Sequence, residues 1–196
     1  MIIGLIPSRL NSKRLKEKPL LEIDGLPIIV HSYKRSKLSK RLDDVIVCTD
    51  HKKIIDAVEK HGGKAIMTSK KHKNGTERIY EVAKKIKMAE LIIDIQGDQP
   101  LIDPKAIDKT VDFHQKNKHF DIVLGSMPIN EDPENTSLVK NIFSGNRIIY
   151  FSREQTPYNY HKQKITYYKN LSIISFTPEA LKKFHNSKMG ILEKIE

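Results

Sequence analysis

The sequence predicts an α/β fold of three layers, with a mostly parallel sheet between helices and a smaller antiparallel insertion in the second half. Three observations carry this. Short, nearly continuous apolar runs at Ile2–Ile6, Val45–Cys48 and Leu91–Ile95 have the length and composition of strands buried on both faces. The segments between them space apolar residues three and four apart, as along one face of a helix. Beyond Ile129 that alternation gives way to hairpin signals.

Taken in order, Ile2–Ile6 opens the chain as a strand and stops at Pro7, and a polar, basic loop runs from Ser8 to Lys18. Leu20–Ile23 and the Asp24-Gly25 turn indicate a brief extended excursion. Pro27 starts a helix to about Lys40, at a position where its missing N–H breaks no helical bond. Val45–Cys48 is the next strand and ends at Thr49-Asp50-His51. In Lys52–Lys60, residues Ile54, Ile55, Ala57 and Val58 share a helical face, and Gly62-Gly63 closes the helix. Ala65–Met67 is a third strand and Thr68–Asn74 a polar loop. The stripe Ile79, Val82, Ala83, Ile86 places a helix over Thr76–Lys87. Leu91–Ile95 is a strand ending at Gln96-Gly97-Asp98-Gln99-Pro100, Pro104 starts another helix, and Ile122–Leu124 is another strand. Val139–Phe143 and Arg147–Phe151 flank a three-residue hairpin loop, Ser144-Gly145-Asn146. Ser172–Phe176 reads as a strand and Pro178–Phe184 as a short helix. The pattern is Rossmann-like, and ligands of such sheets bind beyond the carboxyl ends of the strands. The loops after Ile6, Cys48, Met67 and Ile95 should therefore share one crevice.

A chain of 196 residues fits one domain, here a first half over 1–128 and a second over 129–196. No apolar run approaches the roughly 20 residues that span a bilayer, and the apolar start lacks the basic flank of a signal peptide. One cysteine, Cys48, excludes an internal disulfide and fits a reducing cytoplasm. The formal charge of +11 suits a phosphorylated or acidic small substrate, a nucleic acid or a membrane surface. A lysine-rich solvated surface is the first account of it, since Lys84, Lys85 and Lys87 fall at solvent-facing positions, so charge alone selects none of these.

Three segments carry candidate chemistry. The loop Pro7-Ser8-Arg9-Leu10-Asn11-Ser12-Lys13-Arg14-Leu15-Lys16-Glu17-Lys18 sets Arg9, Lys13, Arg14, Lys16 and Lys18 directly after a strand, where cations could offset a triphosphate. A solvated basic loop is the alternative, although the position after the first strand favours function, and the loop matches neither G-x-x-x-x-G-K-[ST] nor G-x-G-x-x-G. Asp98, after a glycine at a strand end, suits a Mg²⁺ ligand or a turn aspartate that caps its own backbone. Lys73-Asn74-Gly75-Thr76-Glu77-Arg78 reads as a helix start, and a helix N-terminus also contacts anions. Cys48 and His51 are too few for zinc, and no serine has an evident histidine partner. Tyr158, Tyr160, Tyr167 and Tyr168 near Lys162, Lys164 and Lys169 give only a weak nucleic-acid signal.

In order along nearly the whole chain, these segments resemble the 3-deoxy-manno-octulosonate (Kdo) cytidylyltransferases. Ile6-Pro7-Ser8-Arg9 with Ser12-Lys13-Arg14-Leu15 and Lys18-Pro19-Leu20 is similar to I-P-A-R-x-x-S-T-R-L-x-x-K-P-L. Cys48-Thr49-Asp50 is similar to A-T-D, Asn74-Gly75-Thr76-Glu77-Arg78 to S-G-T-E-R, and Ile95-Gln96-Gly97-Asp98-Gln99-Pro100-Leu101 to V-Q-G-D-E-P-L. Val139-Lys140 and Tyr150-Phe151-Ser152-Arg153 resemble the later V-K and Y-F-S-R segments. The resemblance implies transfer of CMP from CTP to the anomeric hydroxyl of Kdo or a close acidic sugar, in surface-glycan synthesis. It assigns Arg9, Arg14 and Lys18 to the leaving pyrophosphate and Asp98 to catalysis through Mg²⁺. It implies nucleotide contacts at Pro7, Ser8, Arg9, Asn74, Gly75, Arg78 and Gln96, and sugar contacts at Gln96 and Arg153. It makes 1–128 the nucleotide-binding half and 129–196 the sugar-binding and dimerisation half of a cytoplasmic homodimer, with neither nucleic acid nor membrane as partner. Two departures stand out. The family carries H-[IL]-G-[IL]-Y where this chain reads Asn170-Leu171-Ser172-Ile173-Ile174, which admits a different acid sugar. The family also continues with a sugar-contacting helix and a D-T-x-x-D-L motif bearing a second metal carboxylate. This sequence stops at Leu192–Glu196, in what reads as a helix start, so a C-terminal part is expected to be missing; a catalytically impaired nucleotide-binding homologue is the alternative.

Overall fold

A computed structural model describes residues 1–11, 15–130 and 132–191. The chain runs through β1 (Ile2–Ser8), a 3₁₀ turn (Lys18–Leu20), β2 (Glu22–Ile23), β3 (Leu26–Pro27) and α1 (Ile28–Ser36). It continues with β4 (Asp44–Thr49), α2 (Lys52–Lys60), β5 (Ala65–Met67), α3 (Gly75–Ala83), β6 (Leu91–Ile95) and α4 (Pro104–Lys116). Then follow β7 (Ile122–Pro128), β8 (Lys140–Ser144), β9 (Arg147–Ser152), β10 (Tyr168–Phe176) and α5 (Pro178–Asn186). The helix start read at Leu192–Glu196 lies outside the described residues.

Strands β5, β4, β1 and β6 pair in that order and all parallel, so the loops after them emerge at one sheet edge. Next to β6 the sheet changes direction: β10 runs antiparallel to β6, and β7, β8 and β9 extend it antiparallel. Successive side chains of β1 face opposite layers, the period-two rule of a strand. Ile6 packs with Ile29, Ile54 and Ile107 from α1, α2 and α4, whereas Leu5 packs with Ile79, Val82 and Leu181 from α3 and α5. The fold class is thus the mostly parallel three-layer sheet with an antiparallel second half that the sequence predicts.

Several boundaries differ, for local reasons. Helix α1 stops at Ser36, short of the predicted Lys40. Asp108 on α4 accepts bonds from the Ser39 hydroxyl and from the Lys40 and Arg41 N–H groups, drawing the chain off the helix axis. Helix α3 stops at Ala83; its continuation tightens into three-residue turns, Lys85 N to Val82 O and Ile86 N to Ala83 O, which still bring Ile86 onto the core. The β8–β9 loop has two residues, Gly145 and Asn146, because Ser144 pairs with Arg147; the third residue sits instead as a bulge at Ile149. Lys140 of β8 is buried, its ammonium donating to the carbonyls of Asn135 and Arg153, so the V-K and Y-F-S-R segments hold each other.

Strand β10 is longer than predicted and bulged. Asn170 pairs with Ser126 and Ile174 with Leu124, leaving Gly125 opposite three residues of β10. Ser172, in that bulge, has φ 56°, the left-handed region; the Asn170 side chain accepts from its N–H at 2.7 Å. This is the place where the family that the sequence resembles carries glycine. A non-glycine residue there costs roughly 1–2 kcal/mol, part of which glycine's extra unfolded-state freedom offsets. Ser172→Gly is therefore expected to raise stability by up to about 1 kcal/mol in urea denaturation; a clear loss would contradict the strain reading.

Candidate active site

The loops after β1, β5 and β6 meet in one crevice, whereas the loop after β4 reaches only a smaller one beside it. A crevice of about 680 Å³ is lined by Pro7, Ser8, Arg9, Leu15, Lys18, Pro19, His72, Lys73, Asn74, Gly75, Arg78, Gln96, Gly97 and Asp98. A smaller one of about 210 Å³ opens beside it and shares Arg9, His72 and Arg78, adding Leu10, Asn11, Asp50, His51 and Lys70. The larger volume suits a ligand of nucleotide size.

The three motifs converge through close backbone approach around Pro7. A Cβ at Gly97 would lie 3.0 Å from the Pro7 carbonyl oxygen and from Ile29 Cδ1, and one at Gly75 would lie 3.0 Å from Pro7 Cγ. Glycine at both positions lets the loop after β1 sit between β6 and α3. Below them, Asp50 and Arg78 brace the site. One Asp50 oxygen accepts from the Leu10 N–H at 3.3 Å and the other from the Arg78 guanidinium at 2.9 Å. Arg78 also donates to Thr68 Oγ1 at 2.6 Å and to the Ser69 carbonyl at 3.3 Å, and is buried. Its role in the crevice is thus first to clamp the loops after β1, β4 and β5 together.

Helix α3 starts at the crevice. Asn74 caps it, accepting from the Glu77 N–H at 2.8 Å, while Glu77 accepts from the Lys73 N–H at 2.8 Å. The first turn thereby aims its partial positive charge at whatever fills the space beside Gly75. His72 is held by Glu81 at 2.5 Å through Nε2. Bonds from the Ser69 N–H and from His72 outweigh burial and lower the Glu81 pKa. A carboxylate accepts only, so His72 Nε2 carries a proton.

Charge of both signs faces the opening. Arg9 is exposed at the mouth, and Lys18 donates to Asp98 at 2.6 Å. Asp98 lies beyond the end of β6 and is half exposed, its side chain 52% accessible. It presents hard carboxylate oxygens into the crevice, which suits Mg²⁺ held by one carboxylate with substrate phosphates and water. No group of three or more His, Cys, Asp or Glu among the described residues could cage a metal. Gln96 lines the same wall, and its amide donates to the buried Asp94 at 3.5 Å. The Cys48 thiol is buried, and burial pushes its pKa far up, so it is no nucleophile.

Of the residues singled out from the sequence, Pro7, Ser8, Arg9, Lys18, Asn74, Gly75, Arg78, Gln96 and Asp98 all line the larger crevice. Arg14 lies outside the described residues. Arg153, at the end of β9, lines neither crevice; its guanidinium donates to the Thr136 carbonyl at 3.1 Å. His72, the Asp50 brace and the Asp94–Gln96 contact were not singled out. The first follows from the loop after β5 lying at the same sheet edge as the others. The latter two depend on side chains meeting across strands, which spacing along the chain does not reveal.

Comparison with known proteins gives four further findings. The family model described as "Cytidylyltransferase" matches residues 3–196. The 8-amino-3,8-dideoxy-manno-octulosonate cytidylyltransferase of Shewanella sp. (strain W3-18-1) is 38% identical over 201 residues, covering 100% of this chain and 82% of that protein. The 3-deoxy-manno-octulosonate cytidylyltransferase of Thermodesulfovibrio yellowstonii is 37% identical, covering 99% and 82%. Among solved structures, a CMP:2-keto-3-deoxy-manno-octonic acid synthetase complexed with CTP superposes with a TM-score of 0.93 at 31% identity, covering 99% of this chain and 81% of that one.

Proposed function

This chain belongs to the cytidylyltransferase family, and from that premise we propose that it transfers CMP from CTP to the anomeric hydroxyl of Kdo or a close acidic sugar, releasing pyrophosphate. The observation that carries the reading is the convergence of Arg9, Lys18, Asp98, Gln96 and the N-terminus of α3 on one crevice of nucleotide size.

The chemistry follows from those positions. The sugar hydroxyl attacks the α-phosphorus, a C–O–P link forms, the bond from phosphorus to the β-phosphate oxygen breaks, and one proton is released. Arg9 and Lys18 supply fixed positive charge where negative charge collects on the leaving pyrophosphate. Arg14 takes the same role on the resemblance alone. A Mg²⁺ held by Asp98 would neutralise and align the phosphates. The first turn of α3 and Asn74 seat the nucleotide, and Gln96 faces the reacting groups. Arg153 is kept as a sugar contact from the sequence resemblance, its side chain having to leave Thr136 to serve. No covalent nucleophile is needed, which fits the buried Cys48. The sheet's edge strand β9 exposes Ile149 and Phe151, an apolar strip suited to pairing with a second copy. No helix among the described residues is long and apolar enough to cross a membrane. The reading places the enzyme in the cytoplasm, where CTP is available.

A second sugar is supported by a specific observation. The two relatives at 38% and 37% identity differ by name in bearing an amine or a hydroxyl at C8. The register Ile173 to Ile95 also sets the divergent Asn170–Ser172 bulge alongside Gln96, at the crevice's end of the sheet. Pyrophosphate release with CTP, Mg²⁺ and each sugar decides between them. Turnover with CTP and at least one of the two is expected, and turnover with neither would sink the proposal.

A further inference from the structure

Asp94 lies on β6 just behind the crevice, fully buried, and the reaction derived above makes no use of it. Across the sheet it pairs with Leu5 of β1 and Ile174 of β10, both apolar. One carboxyl oxygen accepts from Thr76 Oγ1 at 3.4 Å and the other from Gln96 Nε2 at 3.5 Å. Both contacts are long, so the group is poorly compensated for its burial. Yet one partner lines the site and the other adjoins it. Gln96 lines the crevice, and Thr76 is in the first turn of α3, behind Asn74 and Gly75.

We propose that Asp94 is a positioning residue that sets which end of the Gln96 amide faces the substrate. As a carboxylate it accepts from the Gln96 N–H and leaves Oε1 for the crevice, an acceptor for a sugar or ribose hydroxyl. As a carboxylic acid it donates to Oε1 and leaves the NH₂, a donor for a carboxylate. The inference rests on the crevice being the substrate site.

Both forms are accessible near neutrality. Burial, opposed only by the Thr76 bond, pushes the Asp94 carboxyl up from 3.8 to about 7. Other ionisable groups on the elements of this layer are Cys48 from β4, Glu77, Arg78, Tyr80 and Glu81 from α3, and the exposed Glu179, Lys182, Lys183 and His185 from α5, the last stacked on Tyr80. The thiol stays neutral, Arg78 is committed to Asp50 and Thr68, and Glu81 to His72. Because the folded pKa is raised, the stability linked to this proton is present below about pH 4 and is lost as pH rises through about 7.

Titrating the full chain between pH 5.5 and 8.5, with the Gln96 side-chain amide followed by NMR, tests this without any substrate. A shift with a midpoint near 7 is expected in the wild type and a flat response in Asp94→Asn. In steady-state assays, the KM of one substrate should change about tenfold over the same range in the wild type, the effect of one hydrogen bond made or lost, and stay level in Asp94→Asn. A flat wild-type titration, or an Asp94→Asn variant that keeps the wild-type midpoint and KM profile, overturns the assignment. If Gln96 titrates as expected but no cytidylyl transfer occurs, the link holds as a property of the fold while the reading of the crevice fails.

Discussion

Asp98→Ala is expected to lower turnover with CTP and sugar on the order of 10²–10³-fold, the usual effect of deleting one preorganised charge contact in an active site. The carboxylate lies beyond the end of a rigid, buried strand and reaches into the crevice. Its removal takes away the proposed Mg²⁺ ligand and also frees Lys18, which it holds at 2.6 Å. These two consequences separate by measurement. If Asp98 serves through the cation, Asp98→Asn keeps shape but loses most of the turnover, and raising Mg²⁺ restores part of it. If Asp98 only orients the lysine, Lys18→Ala should cost as much as Asp98→Ala, and the double variant no more than either. Because Asp98 is half exposed, neither substitution should change the melting temperature appreciably. Turnover retained within about threefold in Asp98→Ala would remove Asp98 from catalysis.

Arg78→Met is expected to destabilise the protein by about 3–5 kcal/mol, since breaking a buried pair by deleting one partner strands the other charge. The Arg78 side chain is only 4% accessible and that of Asp50 16%, so water replaces the lost contacts only in part. Three loops depend on the guanidinium: Thr68 and Ser69 directly, and Leu10 through Asp50. For a chain of this size the change corresponds to a fall in Tm of roughly 10 °C. Adding Asp50→Asn should recover part of the loss, because the stranded charge is then gone. A loss below about 1 kcal/mol would mean that the loops are held mainly by apolar packing. CTP affinity should fall with stability, since the same loops line both crevices.

How far the sequence discloses this molecule depends on the range of the interaction concerned. Runs such as Ile2–Ile6 and Leu91–Ile95 declare buried strands because a strand covered on both faces has to be apolar throughout. The alternation with helices then fixes which sheet edge carries the loops, and with it nine of the residues that line the crevice. Features set by partners far along the chain are not legible in this way. Helix α1 ends where it does because Asp108 on α4 captures the chain after Ser39. The β8–β9 turn is a residue shorter than the composition suggests, because the extra residue is taken up as a bulge at Ile149. Strand β10 carries a left-handed Ser172 that no strand pattern would announce. Asp94 reads from sequence as a single polar interruption in an apolar strand, and its link to Gln96 and Thr76 emerges only once β6 and α3 are packed together.

The most direct test of the central claim, that this crevice moves CMP from CTP onto an acidic sugar, follows the α-phosphate itself. The full chain is incubated with CTP labelled at the α-phosphorus, Mg²⁺, and either Kdo or its 8-amino counterpart. The label is expected to appear in a CMP-sugar, with one pyrophosphate released per sugar consumed and both products nearly absent with Asp98→Ala. CTP that binds without passing its label to any acid sugar, or label transfer undiminished in Asp98→Ala, would contradict the account.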